Sequence, residues 1–446
     1  MSKMFYKMLC IVLVVMMAFS FLTGCGSKES TQAAGSTAAT ESSSDQTLEE
    51  PAQEPVKEVK LTFWNGFTAS DGEVLRDIIN RFNENNTSKV KIEMDIMPWD
   101  VFFQKLPPAI ATNTAPSFVL MGADNIMSYV QNEAIAPLDD FWQTTGLSES
   151  NYDKNVIDIF KYDGKTYMTP MQYFLVYLYW NKELFKGAGL DPNKAPATFE
   201  ELEQYALKLT DASKNRFGFG MSVKGAPPYF ASLLWGNGGD FWDIQGKKSL
   251  LNSPENIQTL KWIQDLAVNK KITPNGATGA DIDNMFMNGQ VAMFINGPWV
   301  INGINTAGID FGIAAPPKGS VAQASPTGGY GYAITSSKLD EEKAAIYEYL
   351  KYWMSHDILK EWTVKNGFPA WSTEVLNDPE VKNDPVQGVI GGLGSIGKNY
   401  NFGLPESSKI NDIIWPVIEG TLAGSDVESI VKKANDDIDK VLASTK

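Results

Sequence analysis

Residues 59–64 read Val-Lys-Leu-Thr-Phe-Trp, and this stretch opens the segment that decides the fold. Apolar and polar side chains alternate along it, which predicts a β-strand with one buried face. Residues 70–73 follow as Ser-Asp-Gly-Glu, a capping box that is typical of a helix start. The apolar positions that then recur at helical spacing are Val74, Ile78 and Phe82. The chain therefore enters its folded part as a strand followed by an amphipathic helix.

The next elements repeat this alternation. The patterns predict a strand over 90–96, a helix over 99–111 and a strand over 117–121, and then a third helix over 127–134. A βαβαβ order predicts an α/β fold with a mostly parallel, doubly wound sheet and ligand sites at the carboxyl ends of its strands. The rest of the chain is also mixed α/β, with a further capping box at 198–201.

The N-terminal end predicts an exported protein. Lys3 and Lys7 precede an apolar run over 8–22, and residues 22–25 read Leu-Thr-Gly-Cys. This order is typical of a cleaved signal peptide, and the run is short for a membrane-spanning helix, although an uncleaved anchor is the alternative. The motif resembles the lipobox of bacterial lipoproteins. That resemblance implies that residues 1–24 are removed as a lipoprotein signal peptide and that Cys25 carries a lipid.

The segment that begins at Cys25 and the net charge of the chain both indicate how the protein would interact with membranes and nucleic acid. Residues 25–55 are rich in small and polar side chains, which predicts a flexible, lipid-anchored tether. The full chain has 38 basic and 53 acidic residues, a net charge of −15, which becomes −17 without residues 1–24. Such a charge disfavours nucleic acid and anionic lipid as partners. We therefore expect membrane attachment through the lipid alone.

Histidine and arginine are scarce. His356 is the one histidine, so a multi-histidine metal site is excluded, and its sequence context predicts a capping or surface role at the end of a helix. The only arginines are Arg76, Arg81 and Arg216, none in a segment that suggests a cleft. Because arginine is the preferred bidentate partner of carboxylate and phosphate, an anionic ligand has no obvious clamp. We predict neither a metal nor a cofactor.

Three short motifs are better explained as turns than as ligand sites. Residues 392–397 match G-x-G-x-x-G, but the loop-like segment 398–405 follows in place of the helix that a pyrophosphate site needs. Residues 211–215 lack the glycine and final glutamate of a calcium loop and predict a polar turn. Residues 281–284 are interpreted as a helix N-terminus.

Aromatic residues beside glycine and asparagine suggest a ligand class. The segments that combine them are 64–66, 235–239 and 296–299, and in 227–230 two aromatics follow two prolines. Aromatic faces stack on the C–H faces of sugars, while amides and carboxylates bind sugar hydroxyls. Any one tryptophan could simply pack in the core. Their grouping in loop-like segments favours a saccharide-binding cleft.

Longer motifs identify a family that the chain resembles. Residues 162–170 and 179–185 match a "GK-Y-P…YNK-LF" pattern, with Trp180 where tyrosine is usual. Residues 288–299 match "NG-AM-ING-W", and 328–330 read Gly-Gly-Tyr. From about Val59 to Leu442 the chain resembles extracellular solute-binding proteins of family 1, the group that includes maltose-binding-protein-like lipoprotein receptors of sugar importers.

The resemblance implies a two-lobed periplasmic-binding-protein fold of class II. Each lobe would be a mostly parallel sheet flanked by helices, and the chain would cross the hinge more than once. The N-terminal lobe would comprise residues 56–172 and 313–365. The C-terminal lobe would comprise residues 173–312 and 366–446.

The resemblance also implies ligand-binding residues in the cleft. Tyr229 and Trp299 match family positions that stack on sugars, and Asp124 matches a position that binds hydroxyls. The other cleft positions implied are Asn65, Gln172, Tyr173, Gly329 and Tyr330. Phe174 stands where some maltose receptors carry an acidic residue, which argues against assuming maltose.

These observations together predict a function. We expect a monomeric, extracytoplasmic lipoprotein on the outer face of the bacterial cell membrane that binds a neutral saccharide, and more specifically an oligosaccharide, without catalysis. It would deliver that sugar to the permease subunits of an ABC transporter. Two alternatives stay open: a receptor of the same fold for a non-sugar solute such as a polyamine, and an extracellular carbohydrate-active enzyme.

Overall fold

The computed structural model describes residues 58–444 except for residues 69, 224–228, 244–245 and 401–405. The predicted signal peptide, Cys25 and the tether up to residue 55 lie outside the described residues. Within the described part, no helix combines the length and the apolar character that crossing a membrane requires.

The predicted alternation of strands and helices is confirmed. The strands, in chain order, are β1 (Val59–Asn65), β2 (Val90–Ile96), β3 (Phe118–Gly122), β4 (Lys161–Tyr162), β5 (Lys165–Thr166), β6 (Thr169–Leu175), β7 (Tyr177–Asn181), β8 (Trp242–Asp243), β9 (Lys248–Ser249), β10 (Met293–Asn296), β11 (Phe311–Ala314), β12 (Ser325–Ile334) and β13 (Gly397–Asn399). The helices are α1 (Ser70–Asn85), α2 (Trp99–Ala111), α3 (Met127–Gln131), α4 (Phe141–Thr145), α5 (Lys154–Asp158), α6 (Lys182–Gly187), α7 (Phe199–Leu209), α8 (Phe230–Gly236), α9 (Pro254–Gln264), α10 (Gly279–Met287), α11 (Ile301–Thr306), α12 (Leu339–Trp353), α13 (His356–Asn366), α14 (Thr373–Asn377), α15 (Pro379–Asn383), α16 (Gln387–Ile390), α17 (Ser407–Ala423) and α18 (Val427–Ser444).

A larger sheet contains β1, β2 and β3 as parallel neighbours, with β1 between the other two. β1 alternates between core and surface, with Leu61 and Phe63 fully buried, whereas every residue of β3 is buried. β12 pairs antiparallel with both β3 and β6, and parallel with the short edge strand β13. The sheet is therefore mixed. The predicted site residue Asn65 is the last residue of β1 and Asp124 follows β3, so both lie at the carboxyl ends of these parallel strands.

A smaller sheet has the order β10-β7-β11, and its pairs are antiparallel rather than parallel as predicted. The two faces of β7 pack in different hydrophobic clusters. Tyr177 and Tyr179 join the cluster that covers the larger sheet, while Leu178 and Trp180 join the second cluster. This sheet therefore lies between two cores.

The chain passes between the sheets at β6–β7 and again between β11 and β12. Ser325, which is fully buried, ties the two crossings together. Its Oγ accepts a hydrogen bond from Val176 N at 2.9 Å and donates one to Val176 O at 2.9 Å. Two adjacent extended crossings of this kind are a suitable hinge.

The strand pairing shows that some of the predicted lobe boundaries are displaced. The rest of the predicted lobe assignment stays a prediction. Residues 173–175 pair with β12 in the larger sheet, and residues 313–314 pair with β7 in the smaller one. The first crossing therefore lies a few residues beyond its predicted position, and the second lies between residues 314 and 325. Ser372, assigned by sequence to the C-terminal lobe, bridges to Tyr152 of the N-terminal lobe. The sequence motifs indicate approximately where the chain passes between the lobes, but only the strand pairing shows at which residues it does so.

Helix starts follow most of the predicted capping signals. However, Ser70 of the predicted box is the first residue of α1, and Glu201 accepts from Ala197 N instead of completing a box with Thr198. Thr198 Oγ1 accepts a hydrogen bond from Glu201 N at the start of α7, and Ser253 caps α9, which has a proline in its first turn. Asp281 completes a capping box with Thr278, so the interpretation of 281–284 as a helix N-terminus is confirmed. His356 begins α13 rather than ending a helix.

Candidate functional site

Three neighbouring cavities share one wall residue, Asn399 of β13. The Asp124 cavity, of about 120 Å³, is lined among others by Phe174, Tyr330 and Tyr400. The other two are named here by one wall residue each: the Asp153 cavity, of about 210 Å³, and the Trp242 cavity, of about 240 Å³. Together they form the candidate site.

Asp124 lies two residues beyond β3, at the carboxyl end of a buried strand. Its side chain reaches solvent although protein atoms surround it on most sides, which is the situation of a group on a cavity wall. Burial raises its pKa, and the hydrogen bond from Asn125 Nδ2 at 2.9 Å opposes that rise. A carboxylate held in this way can accept hydrogen bonds from ligand hydroxyls.

Tyr330 and Gly329 bring β12 to the same cavity. Tyr330 packs on Trp99 with ring centres 5.4 Å apart and an interplanar angle of 28°. Burial, and then the charge of Asp124, raise the pKa of its hydroxyl, which therefore stays protonated. Gly329 O accepts a hydrogen bond from Ala123 N. A Cβ at Gly329 would lie 2.6 Å from the Phe160 ring, so only glycine fits here.

Trp299 is the exposed aromatic of the site. It lies in the turn Pro298–Val300 after β10, and 40% of its surface is exposed. A Cβ at Gly297 would come within 2.0 Å of its ring, which shows that the indole lies directly over this glycine. It also packs against the Phe174 ring, with ring centres 5.2 Å apart and an interplanar angle of 80°. Since Phe174 lines the Asp124 cavity, Trp299 is positioned beside that cavity.

The remaining predicted residues lie deeper. Asn65 is fully buried, and its Oδ1 accepts a hydrogen bond from Phe67 N at 3.0 Å. Gln172 is buried, and its Oε1 accepts a hydrogen bond from Trp362 Nε1 at 2.9 Å. Tyr173 is also buried yet lines the Asp153 cavity. Protein atoms cover Asn65 and Gln172 in this structure, so the segments around them would have to move before a ligand could contact either side chain.

Tyr229 is buried in the second hydrophobic cluster. Its hydroxyl donates to Ser222 O at 2.9 Å and accepts from Ser222 N at 2.7 Å, and the ring packs edge-on against Phe230. It borders residues 224–228, which are not described. The structure thus brings together Asp124, Tyr173, Gly329 and Tyr330, with Trp299 adjacent, but leaves Tyr229 in a core.

Other wall residues were not predicted. Asn399 and Tyr400 stand in a segment that the sequence marks only as a loop, and Asp153 follows no strand. Trp235, by contrast, stood in one of the aromatic segments interpreted as loops; it lies at the end of α8 and is 5% exposed. Repeated aromatics near residues 235–242 were the one available signal for this part of the site.

A larger cavity, of about 580 Å³, lies at the other end of the smaller sheet, beside Trp180, Lys182 and Asp310. It contains none of the predicted site residues. The polar side chains on its wall are partly paired, since Lys182 Nζ lies 3.2 Å from Asp310 Oδ1. In the described part of the chain, no group of three His, Cys, Asp or Glu side chains is placed to hold a metal ion.

A half-buried carboxyl, that of Asp283, supports the turn that carries Trp299. Asp283 Oδ1 accepts a hydrogen bond from Asn296 Nδ2 at 2.6 Å, and Asn296 Oδ1 accepts one from Gly297 N at 2.8 Å. Tyr179 donates its hydroxyl hydrogen to Gly297 O at 2.9 Å. Burial raises the pKa of Asp283 to about 6, and the bond from Asn296 opposes that rise.

This pKa predicts a pH-dependent stability. Because the folded state holds the Asp283 proton more tightly than the unfolded state, the free energy of unfolding should fall as the pH rises from about 4 to 6. We expect Asp283→Asn, which keeps the acceptor oxygen, to be more stable than the wild type at pH 7 by about 1–2 kcal/mol after allowance for partial exposure. At pH 4 the difference should vanish.

Urea unfolding at pH 4, 5, 6 and 7 measures this effect. Asp281→Asn is the matched control, since hydrogen bonds from Thr278 lower the pKa of Asp281, and this variant should be less stable than the wild type at pH 7. A pH-independent difference for Asp283→Asn would contradict the prediction.

The comparisons with known proteins define the class. The model of the family described as bacterial extracellular solute-binding protein matches residues 77–386, well over half of the chain. The chain therefore belongs to this family, and the resemblance seen in the sequence is confirmed. Members of the family bind solutes outside the cytoplasm.

Individual relatives agree with this assignment. The chain is 26% identical to the maltotriose-binding protein of Pyrococcus abyssi over 349 residues, covering 75% of this chain and 72% of the relative. It is 25% identical over 330 residues to the sn-glycerol-3-phosphate-binding periplasmic protein of Brucella melitensis, covering 70% of this chain and 74% of the relative. A solute-binding protein of an ABC transporter from Thermotoga lettingae, solved with α-D-tagatose, superposes with a TM-score of 0.75 at 25% identity, over 86% of this chain and 100% of that one. The two-lobed α/β fold is confirmed.

Proposed function

We propose that this protein is the receptor of an ABC importer that captures a neutral oligosaccharide at the site around Asp124, Trp299 and Asn399 and delivers it to the permease. The observation that carries the proposal is the exposed indole of Trp299, held over Gly297 beside a cavity with a carboxylate. An aromatic face for stacking and a carboxylate for hydroxyls are the two groups that bind a sugar ring. The sugar-binding relatives support the same ligand class.

The charges on the cavity walls favour a neutral ligand over an anionic one. Among the described wall residues of the three cavities, Lys398 is the one cation, and its Nζ already lies 2.6 Å from Asp240 Oδ2. The arginines lie elsewhere, with Arg81 paired to Glu361 and Arg216 near Asp211. A phosphate such as that of the ligand named for the Brucella relative would meet uncompensated carboxylates.

A polyamine is the second candidate, because the same carboxylates could bind a cation. Asp124 and Asp153 line adjacent cavities. Asp153 already accepts a hydrogen bond from Asn155 N, which reduces its attraction for a cation. No described residue lining the Asp124 cavity is a cation, so Asp124 stays open to one. The aromatic face of Trp299 suits either ligand, so the choice needs a measurement.

Binding alone accounts for the proposed role. A ligand that contacts both lobes favours the closed state only through the extra contacts it makes there, and the paired crossings at Val176 and Ser325 allow such a hinge motion. Ser407 Oγ donates a hydrogen bond to Asp124 O at 3.4 Å, so α17 lies close to the strand end that carries Asp124. We propose that the protein acts as a lipid-anchored monomer without catalysis.

A panel of saccharides and polyamines tests the proposal. The purified protein is incubated with each compound, and both its melting temperature and the release of cleaved products are followed. We expect a higher melting temperature with a neutral oligosaccharide and no product, since bound ligand stabilises the folded state by mass action. Product release would identify an enzyme, and stabilisation by spermidine alone would identify a polyamine receptor.

Salt dependence separates the two receptor functions further. Hydroxyl hydrogen bonds and stacking are screened little by ions, so the affinity for the sugar should be nearly the same at low and at physiological salt. Calorimetric titration at the two salt concentrations measures this. A fall of about tenfold or more would favour a charged ligand.

A further inference from the structure

The Trp242 cavity contains none of the residues implied by the family resemblance. It lies between β13 and the segment that joins α8 to β8, and its walls include Trp235, Asp240, Trp242, Lys398 and Tyr400. It shares Asn399 and Tyr400 with the Asp124 cavity. A ligand held at Asp124 and extended along β13 would therefore enter it.

The polar groups of this cavity are fixed before any ligand binds. Asp240 accepts hydrogen bonds from Trp235 Nε1 at 2.8 Å and from Phe241 N at 2.9 Å, and its second oxygen pairs with Lys398 Nζ at 2.6 Å. The Lys398 ammonium also lies 4.8 Å from the centre of the Trp235 ring. Because the ammonium and the carboxylate neutralise each other, this pair attracts neither an anion nor a cation strongly. Asp243 adds a second carboxylate to the wall, and its Oδ1 accepts a hydrogen bond from Gly246 N at 3.0 Å. The wall still offers donors and lone pairs to hydroxyl groups.

The apolar groups supply flat surfaces. Tyr400 is buried, with Phe241 edge-on at 5.0 Å and 87°. Trp242 is half-buried and packs on Tyr400 with ring centres 5.5 Å apart. An aromatic wall beside a paired ammonium and carboxylate is suited to a neutral, hydroxyl-rich ring.

We propose that the Trp242 cavity is an additional saccharide compartment, so that the protein selects chains of at least three sugar units. The inference rests on the proposed function. It assigns one sugar unit to each of the three cavities that meet at Asn399, with Trp242 and Lys398 contacting the terminal unit. The contrasting explanation is a purely structural clamp, in which Lys398 only ties β13 to Asp240.

Calorimetric titration with linear glucose chains of one to five units, both α-1,4- and β-1,4-linked, tests the inference on the full chain. For the linkage that binds, we expect the affinity of the wild type to rise by about tenfold between two and three or four units. Trp242→Ala should abolish this rise and leave the affinity for the disaccharide within about twofold. Trp262→Ala is the matched control, since Trp262 is also partly buried against the same hydrophobic cluster but lies outside the three cavities.

Lys398→Met keeps the aliphatic stem over Trp235 and serves as a second variant if Trp242→Ala does not fold; it should reduce the same length-dependent rise. A rise that survives in either folded variant, even with a lowered melting temperature, would show a structural clamp and overturn the inference alone. Equal affinity of the wild type for disaccharides and for longer chains would also overturn the inference and leave the proposed function intact. Binding of no saccharide at all would overturn the proposed function and the inference together.

Discussion

Trp299→Ala is expected to weaken binding of the cognate sugar by roughly 30- to 1,000-fold. The indole is 40% exposed and held over Gly297, so its removal takes away a stacking surface without opening a core. Truncation of a central aromatic at a binding interface typically costs on the order of 2–4 kcal/mol. Calorimetry gives the affinity, and solution scattering at a fixed sugar concentration should show less ligand-induced compaction.

Two further variants identify the cause of this loss. Trp299→Phe keeps a smaller ring over Gly297 and should recover part of the affinity. Val321→Ala removes another exposed apolar side chain, at 64% exposure, and should bind like the wild type. If Trp299→Ala binds the sugar normally while its thermal stability is unchanged, the aromatic turn after β10 is not part of the binding site.

The second large effect concerns the anchor. Cys25→Ser should abolish labelling by a radiolabelled fatty acid. It should also either release the protein from the membrane fraction or leave the signal peptide uncleaved. The physical reason is that attachment is proposed to rest on the acyl chains alone, because the net charge of −17 without residues 1–24 gives no attraction to anionic lipid. The measurement is cell fractionation with labelling.

Cys10→Ser is the matched control, because Cys10 lies inside the apolar run of the proposed signal peptide and would be removed with it. This variant should be labelled and anchored like the wild type. Undiminished labelling of the Cys25→Ser protein would rule out lipidation at the predicted lipobox.

The strands and helices of the first part of the chain could be predicted because local signals suffice there. The alternation in β1, the capping residues and the apolar spacing of α1 each act within a few residues. The predicted helix over 127–134 ends early, at Gln131, where Asn132 and Glu133 begin a turn and Glu133 has a positive φ. The antiparallel order of the smaller sheet could not be predicted, because strand pairing depends on contacts between distant segments.

Solvent exposure distinguishes Trp299 from Tyr229, although the family motifs predicted the same sugar-stacking role for both. Trp299 and Tyr229 both matched stacking positions, yet only Trp299 presents its ring to solvent, while the hydroxyl of Tyr229 is engaged twice by Ser222 in a core. Asn65 and Gln172 likewise stand at the predicted positions but are buried. Sequence motifs place residues along the chain and carry no information on which atoms other segments cover.

The sequence by itself determined the family, the α/β class, the proposed export signal and the exclusion of histidine metal sites and arginine clamps, because composition and short-range patterns decide these properties. Only the tertiary structure decided where the site extends. Asn399 and Tyr400, Asp124, and Trp242 come from segments far apart in the chain, and they meet because β13 pairs with β12 beside the carboxyl end of β3. Such a meeting depends on long-range pairing and packing, whose free energy is spread over many residues and leaves no local pattern to detect.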